Sequence, residues 1–255
     1  MTKTVFITGA TSGIGKASAQ KFAKEKYNLI ITGRRKQRLD ELANKLTTSY
    51  GIKVLPLCFD VQDRKAVFAS IENLPKEWQA IDILINNAGL ALGREAFDEA
   101  SLDDWDTMLN TNVHGLLYIT RALLPILKKS AQPHIINIGS TAGKEVYENG
   151  NVYCASKFAV GAISQAMRID LLKHGIKVTA IHPGAAETEF SIVRFKGDEQ
   201  KAETVYQGFQ PLTGEDIANT IFYCASLPAH ICINDLVITC LQQANSFYTY
   251  KNDHS

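Results

Sequence analysis

Short apolar runs rich in β-branched residues recur along the chain, at residues 5–8, 29–32, 53–58, 81–85, 134–138, 177–182 and 236–239. Within each run the hydrophobicity is nearly continuous rather than alternating. That suits strands covered on both faces, as in a parallel sheet with helices on each side. Helix-length segments lie between them, at residues 14–26, 37–47, 64–73, 105–128, 151–174 and 215–227. Strand and helix alternate throughout, with no Pro-, Gly- or Ser-rich linker, no charge block and no internal repeat. The pattern predicts an α/β fold, a doubly wound parallel sheet of seven strands in one domain over residues 1–255. Two regions break the alternation. Residues 184–205 read as an inserted loop with a short helix, and a polar, aromatic tail follows Gln242.

Composition narrows the function classes. Lys plus Arg number 27 against 26 Asp plus Glu, a formal charge of +1, so the basic excess that a phosphate backbone demands is missing and nucleic acid is not an expected partner. The longest apolar stretch, 115–127, is broken by Arg121 and Pro125 and falls short of the roughly 20 residues of a membrane span. The N-terminus runs directly into the first apolar segment without a signal-like region, which makes the cytoplasm the expected location. Five cysteines, odd in number, widely spaced and without a CxxC pair, argue against a disulfide framework or a zinc site and are expected as small buried side chains. No metal is called for.

Candidate chemistry begins after the first strand, where Thr8-Gly9-Ala10-Thr11-Ser12-Gly13-Ile14-Gly15 opens the first helix. Open α/β sheets bind nucleotides at this place. The glycines permit a tight turn and close backbone approach, and free N–H groups at the helix start face a pyrophosphate. Cofactor choice follows from charge: a carboxylate about 20 residues beyond the glycines would bond a ribose 2′-hydroxyl and repel a 2′-phosphate. The second strand instead ends in Gly33-Arg34-Arg35, with no carboxylate before Asp40, which favours NADP over NAD. The same charges also suit a solvated helix start, continued by Lys36 and Arg38.

The Gly-x-x-x-Gly-x-Gly spacing, with Asp60-Val61 after the third strand and Asn86-Asn87-Ala88-Gly89 after the fourth, resembles the short-chain dehydrogenase/reductase family over nearly the whole chain. The resemblance implies a Rossmann-type fold and an enzyme acting on CH–OH groups. It implies adenine contacts from Asp60 and Val61, cofactor contacts from Asn87, Ala88 and Gly89, and a segment Pro183-Gly184 with Thr188 that wraps the nicotinamide carboxamide. It also implies a homotetramer built on the two long helices.

Tyr153-Cys154-Ala155-Ser156-Lys157 sets a phenol and an ammonium at i and i+4 on one helical face. A phenol needs a nearby positive charge to transfer protons near neutral pH, and Lys157 supplies one; an isolated pair of this kind is also common on exposed helices. Ser140 lies just beyond the fifth strand, at the sheet end where ligands bind. The resemblance completes the set as Asn112, Ser140, Tyr153 and Lys157: Asn112 positions a relay water, Ser140 holds the substrate oxygen, Tyr153 moves the proton, and Lys157 tunes the phenol and binds the nicotinamide ribose. His182 and His114 are expected as structural residues.

Residues 90–93, 138–143 and 190–198 resemble the family's NADP-dependent 3-hydroxy acid dehydrogenases, which act on serine and L-allo-threonine. Gly184-Ala185-Ala186-Glu187 and Thr239-Cys240 depart from that subgroup's pattern. Arg194, in the inserted loop, is the candidate clamp for a substrate carboxylate, with a structural ion pair or an exposed lid charge as its other reading. A broad carbonyl reductase and an NADP-sensing regulator remain as alternative functions.

Overall fold

The computed structural model describes residues 2–252. In chain order the elements are β1 (Thr4–Ile7), α1 (Gly13–Lys24), β2 (Asn28–Gly33), α2 (Lys36–Tyr50), β3 (Val54–Cys58), α3 (Arg64–Glu72) and β4 (Ile83–Asn86). Next come α4 (Leu102–Leu109), a π-helical stretch (Asn110–Gly115), α5 (Leu116–Leu127), β5 (His134–Ile138), α6 (Asn151–Leu171) and β6 (Lys177–Pro183). The last are β7 (Ala186–Glu187), α7 (Phe190–Arg194), α8 (Glu199–Thr204), β8 (Leu212–Thr213), α9 (Gly214–Ser226) and β9 (Asp235–Ile238).

Seven strands form one parallel sheet in the order β3-β2-β1-β4-β5-β6-β9. The continuous hydrophobicity has a direct cause. On β1, Val5 and Ile7 face one layer with Phe22 and Ala19 of α1 and Ile217 and Ile221 of α9, while Phe6 faces the opposite layer with Val67 of α3 and Ile119 and Leu123 of α5. Each face needs its own apolar set because a strand presents alternate residues to opposite sides. The two edges are less covered. β3 carries Pro56, which lacks an N–H and is tolerated on an edge strand, and Val237 of β9 is 51% exposed.

Several expectations are corrected. The helix predicted at 105–128 begins earlier, at Leu102, because the Ser101 hydroxyl accepts from the Asp104 N–H and stops the chain there. It also widens to a π-helix over Asn110–Gly115, a local irregularity that periodicity does not reveal. Cys58 is exposed and Cys232 half-buried; Cys154, Cys224 and Cys240 are buried as expected, and all five are free thiols. The 184–205 segment contains β7, α7 and α8 rather than one short helix.

A ladder of buried amides joins the layers beneath the site. The Asn86 amide nitrogen donates to Thr120 Oγ1 and Asn137 Oδ1, and Asn137 in turn donates to Ser164 Oγ, each at 2.9 Å. The ladder ties α5, β4, β5 and α6 together. Breaking any of these buried bonds would leave a donor unpaired, so the ladder helps fix the register of the two strands whose ends carry the candidate chemistry.

Candidate active site

The chain leaves β1 for β2 and β3 on one side, then returns to the other side at β4. Such a reversal opens a crevice at the carboxyl ends of the strands. Here it is an open cleft of about 320 Å³. Its floor is the loop after β1. Gly9 and Gly13 take φ of 66° and 50°, which side chains disfavour, and a Cβ on Gly15 would collide with the Gly9 carbonyl. The Asn87 amide nitrogen donates to the carbonyls of Thr8 (2.9 Å) and Gly9 (3.2 Å), and the Thr8 hydroxyl accepts from the N–H groups of Asn87 and Ala88. The second motif thus braces the first. Every residue expected to hold the cofactor lines the cleft except Gly15, which lies behind the loop and lets it close. The glycine cradle, with hydroxyls of Thr11 and Ser12 at its mouth, fits a bound dinucleotide.

At one end of the cleft stand the two arginines. Arg34 lies 3.5 Å from Asp60, whose other oxygen accepts from the Gln62 N–H. Arg35 folds back over the glycine loop, donating to Thr11 Oγ1 and Ser12 Oγ. Glu189, which the sequence did not flag, accepts from Arg35 and Arg38 at 2.9 Å each. Burial pushes the Glu189 carboxyl up, but the two guanidiniums outweigh it and hold the group below its ordinary value. These pairs are partly exposed and contribute at most about 1 kcal/mol each. The preceding residue, Thr188, packs on Gly13, so the segment after β6 closes over the loop.

At the other end stand the residues expected to do chemistry. Ser140 follows β5 in extended conformation and caps the 3₁₀ turn Thr141–Gly143, its hydroxyl accepting from the Ala142 N–H at 3.1 Å. That turn touches α6 so closely that a Cβ on Gly143 would strike the Lys157 backbone, which brings Ser140 beside Tyr153. Tyr153 and Lys157 lie one turn apart on α6, both buried. Lys157 Nζ donates to the Ile138 carbonyl at 3.0 Å and sits 6.0 Å from the Tyr153 ring centre. Burial lowers its pKa to about 8. Burial likewise pushes the Tyr153 phenol up, and Tyr147 adds to this, against the Ser140 hydrogen bond and the Arg194 charge. The same loss of solvent disfavours both charged forms.

Asn112 lies on the π-helical stretch. Its amide nitrogen donates to the Leu90 carbonyl (2.8 Å) and Ser156 Oγ (3.0 Å), and its oxygen accepts from the Leu90 N–H. The side chain is therefore spent on protein, clamping the loop after β4 to α6.

Arg194, the last residue of α7, does not itself line the cleft, but its guanidinium packs beside Tyr153, which does. Its Nε donates to the Gly93 carbonyl at 3.2 Å and Nη1 to the Tyr147 hydroxyl at 3.0 Å, with the guanidinium 5.5 Å from the Tyr153 ring centre. Among the described residues no carboxylate lies within ion-pair distance of it, whereas Lys196 is engaged by Asp104 at 2.7 Å. The Phe190 ring stacks at a tilt 5.7 Å from Tyr153. Tyr147 and Phe190 carry no sequence spacing that marks them, and only the fold brings them here.

Comparison with known proteins gives the same picture. The chain is 44% identical over 250 residues to the NADP-dependent 3-hydroxy acid dehydrogenase of Schizosaccharomyces pombe, covering 98% of this chain and 96% of that protein. It is 43% identical over 254 residues to sulfoacetaldehyde reductase 2 of Chromohalobacter salexigens, covering 99% and 100%. Its fold matches the closed form of a serine dehydrogenase complexed with NADP+, with a TM-score of 0.91, 44% identity and coverage of 98% and 99%. Residues 3–199 match the short chain dehydrogenase family; with that match, the glycine cradle and the Ser140, Tyr153 and Lys157 cluster in its cleft, the chain belongs to that family.

Proposed function

We propose that this protein is an NADP-dependent dehydrogenase of small 3-hydroxy acids, of the serine, L-allo-threonine and 3-hydroxypropionate type. The observation that carries the substrate class is Arg194, a half-buried cation without a protein counter-ion among the described residues, held beside Tyr153. A small acid whose carboxylate pairs with this guanidinium has its hydroxyl-bearing carbon within reach of Tyr153 and Ser140.

When bound, the nicotinamide supplies or accepts the hydride. The chain does the rest. The backbone N–H groups of the loop from Gly9 to Gly15 hold the pyrophosphate, with Thr11, Ser12, Gly13 and Ile14 lining it. Arg34 and Arg35 take the 2′-phosphate, and Asp60 and Val61 flank the adenine. Asn87, Ala88 and Gly89 would lie beside the cofactor, Lys157 would bind the nicotinamide ribose, and Pro183, Gly184 and Thr188 would cover the carboxamide. Ser140 donates to the substrate oxygen and fixes it. Tyr153 takes the alcohol proton on oxidation and returns one to the carbonyl oxygen on reduction. Lys157 and Arg194, whose cationic groups lie 6.0 and 5.5 Å from the Tyr153 ring centre, supply the positive charge without which a buried phenol holds its proton. Asn112 keeps the wall of the site in place.

The test is a panel of hydroxy acids, 3-hydroxy amino acids and neutral alcohols with NADP and NAD. Acids with NADP are expected to give the highest kcat/KM; preference for neutral ketones would instead support a broad carbonyl reductase. Binding without turnover would support a regulator. A sulfonate suits Arg194 as well as a carboxylate does, and the Chromohalobacter relative is named for such a substrate, so sulfoacetaldehyde belongs in the panel.

We further propose one domain, a cytoplasmic location and a homotetramer. Five free thiols suit a reducing compartment. Leu117, Phe158, Ile169 and Leu172, on the long helices or just after them, are exposed apolar residues that a second copy of the chain would cover. Sedimentation as a monomer at micromolar concentration would refute the assembly.

A further inference from the structure

His182 is fully buried near the carboxyl end of β6, between the end of β5 and the edge strand β9. Its ring occupies the space where a Cβ on Gly139 would stand, so the residue before Ser140 is a glycine that makes room for it. On its far side the ring approaches Gly161 of α6, the helix that carries Tyr153 and Lys157. His182 Nδ1 lies 3.2 Å from the backbone carbonyl oxygen of Ser140, and Nε2 lies 3.3 Å from Asp235 Oδ2. Lys144, the residue after the turn that Ser140 caps, donates to the same carboxylate oxygen at 2.7 Å. Both ends of the segment 140–144 are thus held, one by His182 of β6 and one by the pairing of Lys144 with Asp235 of β9.

A polar ring buried at this depth costs stability that an aliphatic side chain would not, and its neighbour Ile181 fills the opposite layer without that cost. Its hydrogen bonds define what it does. The Nδ1 contact to the Ser140 carbonyl has hydrogen-bond geometry, whereas Nε2 has no hydrogen-bond partner; since a carbonyl only accepts, Nδ1 carries the hydrogen. The ring would need both protons to donate to Ser140 and Asp235 together. Burial, then the Lys144 ammonium, hold its pKa below the ordinary value despite Asp235 and the Ser140 carbonyl. At neutral pH the ring therefore spends its one N–H on Ser140, while Lys144 satisfies Asp235.

The geometry points to His182 as a positioning residue for Ser140: its Nδ1–H holds the Ser140 carbonyl and so fixes where the serine hydroxyl meets the substrate oxygen, while Lys144, paired with Asp235, holds the other end of the same segment. The inference rests on the reading of Ser140 as the residue that aligns that oxygen. His182 touches neither substrate nor cofactor.

The experiment compares kcat, KM and NADPH affinity for His182→Leu, His182→Asn, His182→Gln, Ser140→Ala and the double variant Ser140→Ala with His182→Leu, using L-allo-threonine and NADP. An Asn amide nitrogen stands where Nδ1 stands, whereas Gln reaches toward Nε2. Misplacing a catalytic group by about 1 Å costs up to about 100-fold, so His182→Leu is expected to lower kcat about 10-fold with NADPH affinity unchanged. His182→Asn should recover most of that loss and His182→Gln should not. In the Ser140→Ala background, His182→Leu should add less than about 2-fold, because residues that act through one another are not additive. Equal loss in the Leu and Asn variants, or full additivity with Ser140→Ala, overturns the positioning role alone. Full turnover by Ser140→Ala would overturn the reading of Ser140 and this inference with it. Should His182→Leu fail to fold, His182→Gln replaces it in the same cycle, with the same non-additivity expected and additivity again overturning the role.

Discussion

Replacing Arg194 by alanine separates the proposed acid dehydrogenase from a general carbonyl reductase. Of the five N–H donors of a guanidinium, Nε is spent on Gly93 and one Nη1 hydrogen on Tyr147, which leaves the Nη2 pair and the second Nη1 hydrogen. That remaining edge matches the two oxygens of a carboxylate. A charge-assisted hydrogen bond in a partly desolvated site contributes about 1.5–3 kcal/mol, which converts to about 10–150-fold in kcat/KM. The variant also loses the tethers from α7 to Gly93, in the loop after β4, and to Tyr147, in the loop before α6, an effect common to all substrates. Measuring kcat/KM for 3-hydroxypropionate and for its neutral methyl ester divides that shared loss out. The acid is expected to lose about 10–150-fold more than the ester, and Arg194→Lys, which keeps the charge without the fork, should fall between. Equal losses for acid and ester would refute Arg194 as the carboxylate clamp.

Tyr153→Phe should leave NADPH affinity unchanged and lower kcat by about 100-fold or more, as removal of a general acid–base does; near-normal turnover would assign the proton to another group. Arg35→Asp should weaken NADPH far more than NADH in fluorescence titrations, and a wild-type protein that uses both cofactors equally would contradict the phosphate role of the arginine pair. Lys157 has a folded pKa of about 8 against an ordinary 10.5, so the folded state binds fewer protons between those values and this group's destabilisation, complete below pH 8, fades as pH rises toward 10.5. The penalty is about 3 kcal/mol, less about 1 kcal/mol for the bond to Ile138. Lys157→Met should therefore melt higher than wild type at pH 7 in the cofactor-free protein, with the gap closing by pH 10; a lower melting temperature at pH 7 would refute this.

Parts of the candidate site were legible because they are local. The glycine loop needs its spacing to turn from β1 into α1, and Tyr153 and Lys157 share a face of α6 by helical period alone. Other parts were read in type but not in detail. Asn112 was expected to hold a water through its place in the site, yet its amide is consumed by Leu90 and Ser156, partners 22 and 44 residues away. The start of the long helix was missed because Ser101 acts through a cap that apolar periodicity does not register.

The sequence by itself determined the sheet, its parallel sense and the end of it that binds ligands, since runs apolar on both faces, separated by helix-length segments, leave few other arrangements. It also determined the order of the chemical groups along the chain. Tertiary structure alone decided what surrounds them. Glu189 meets Arg35 across 154 residues, Arg194 meets Tyr147 and Gly93 across 47 and 101, and His182 meets the Ser140 carbonyl across 42. No local pattern encodes these meetings. They arise because adjacent parallel strands end at one edge of the sheet, so that loops distant in sequence converge over the same cleft, and side chains with no periodic signature become the walls, braces and clamps of the site.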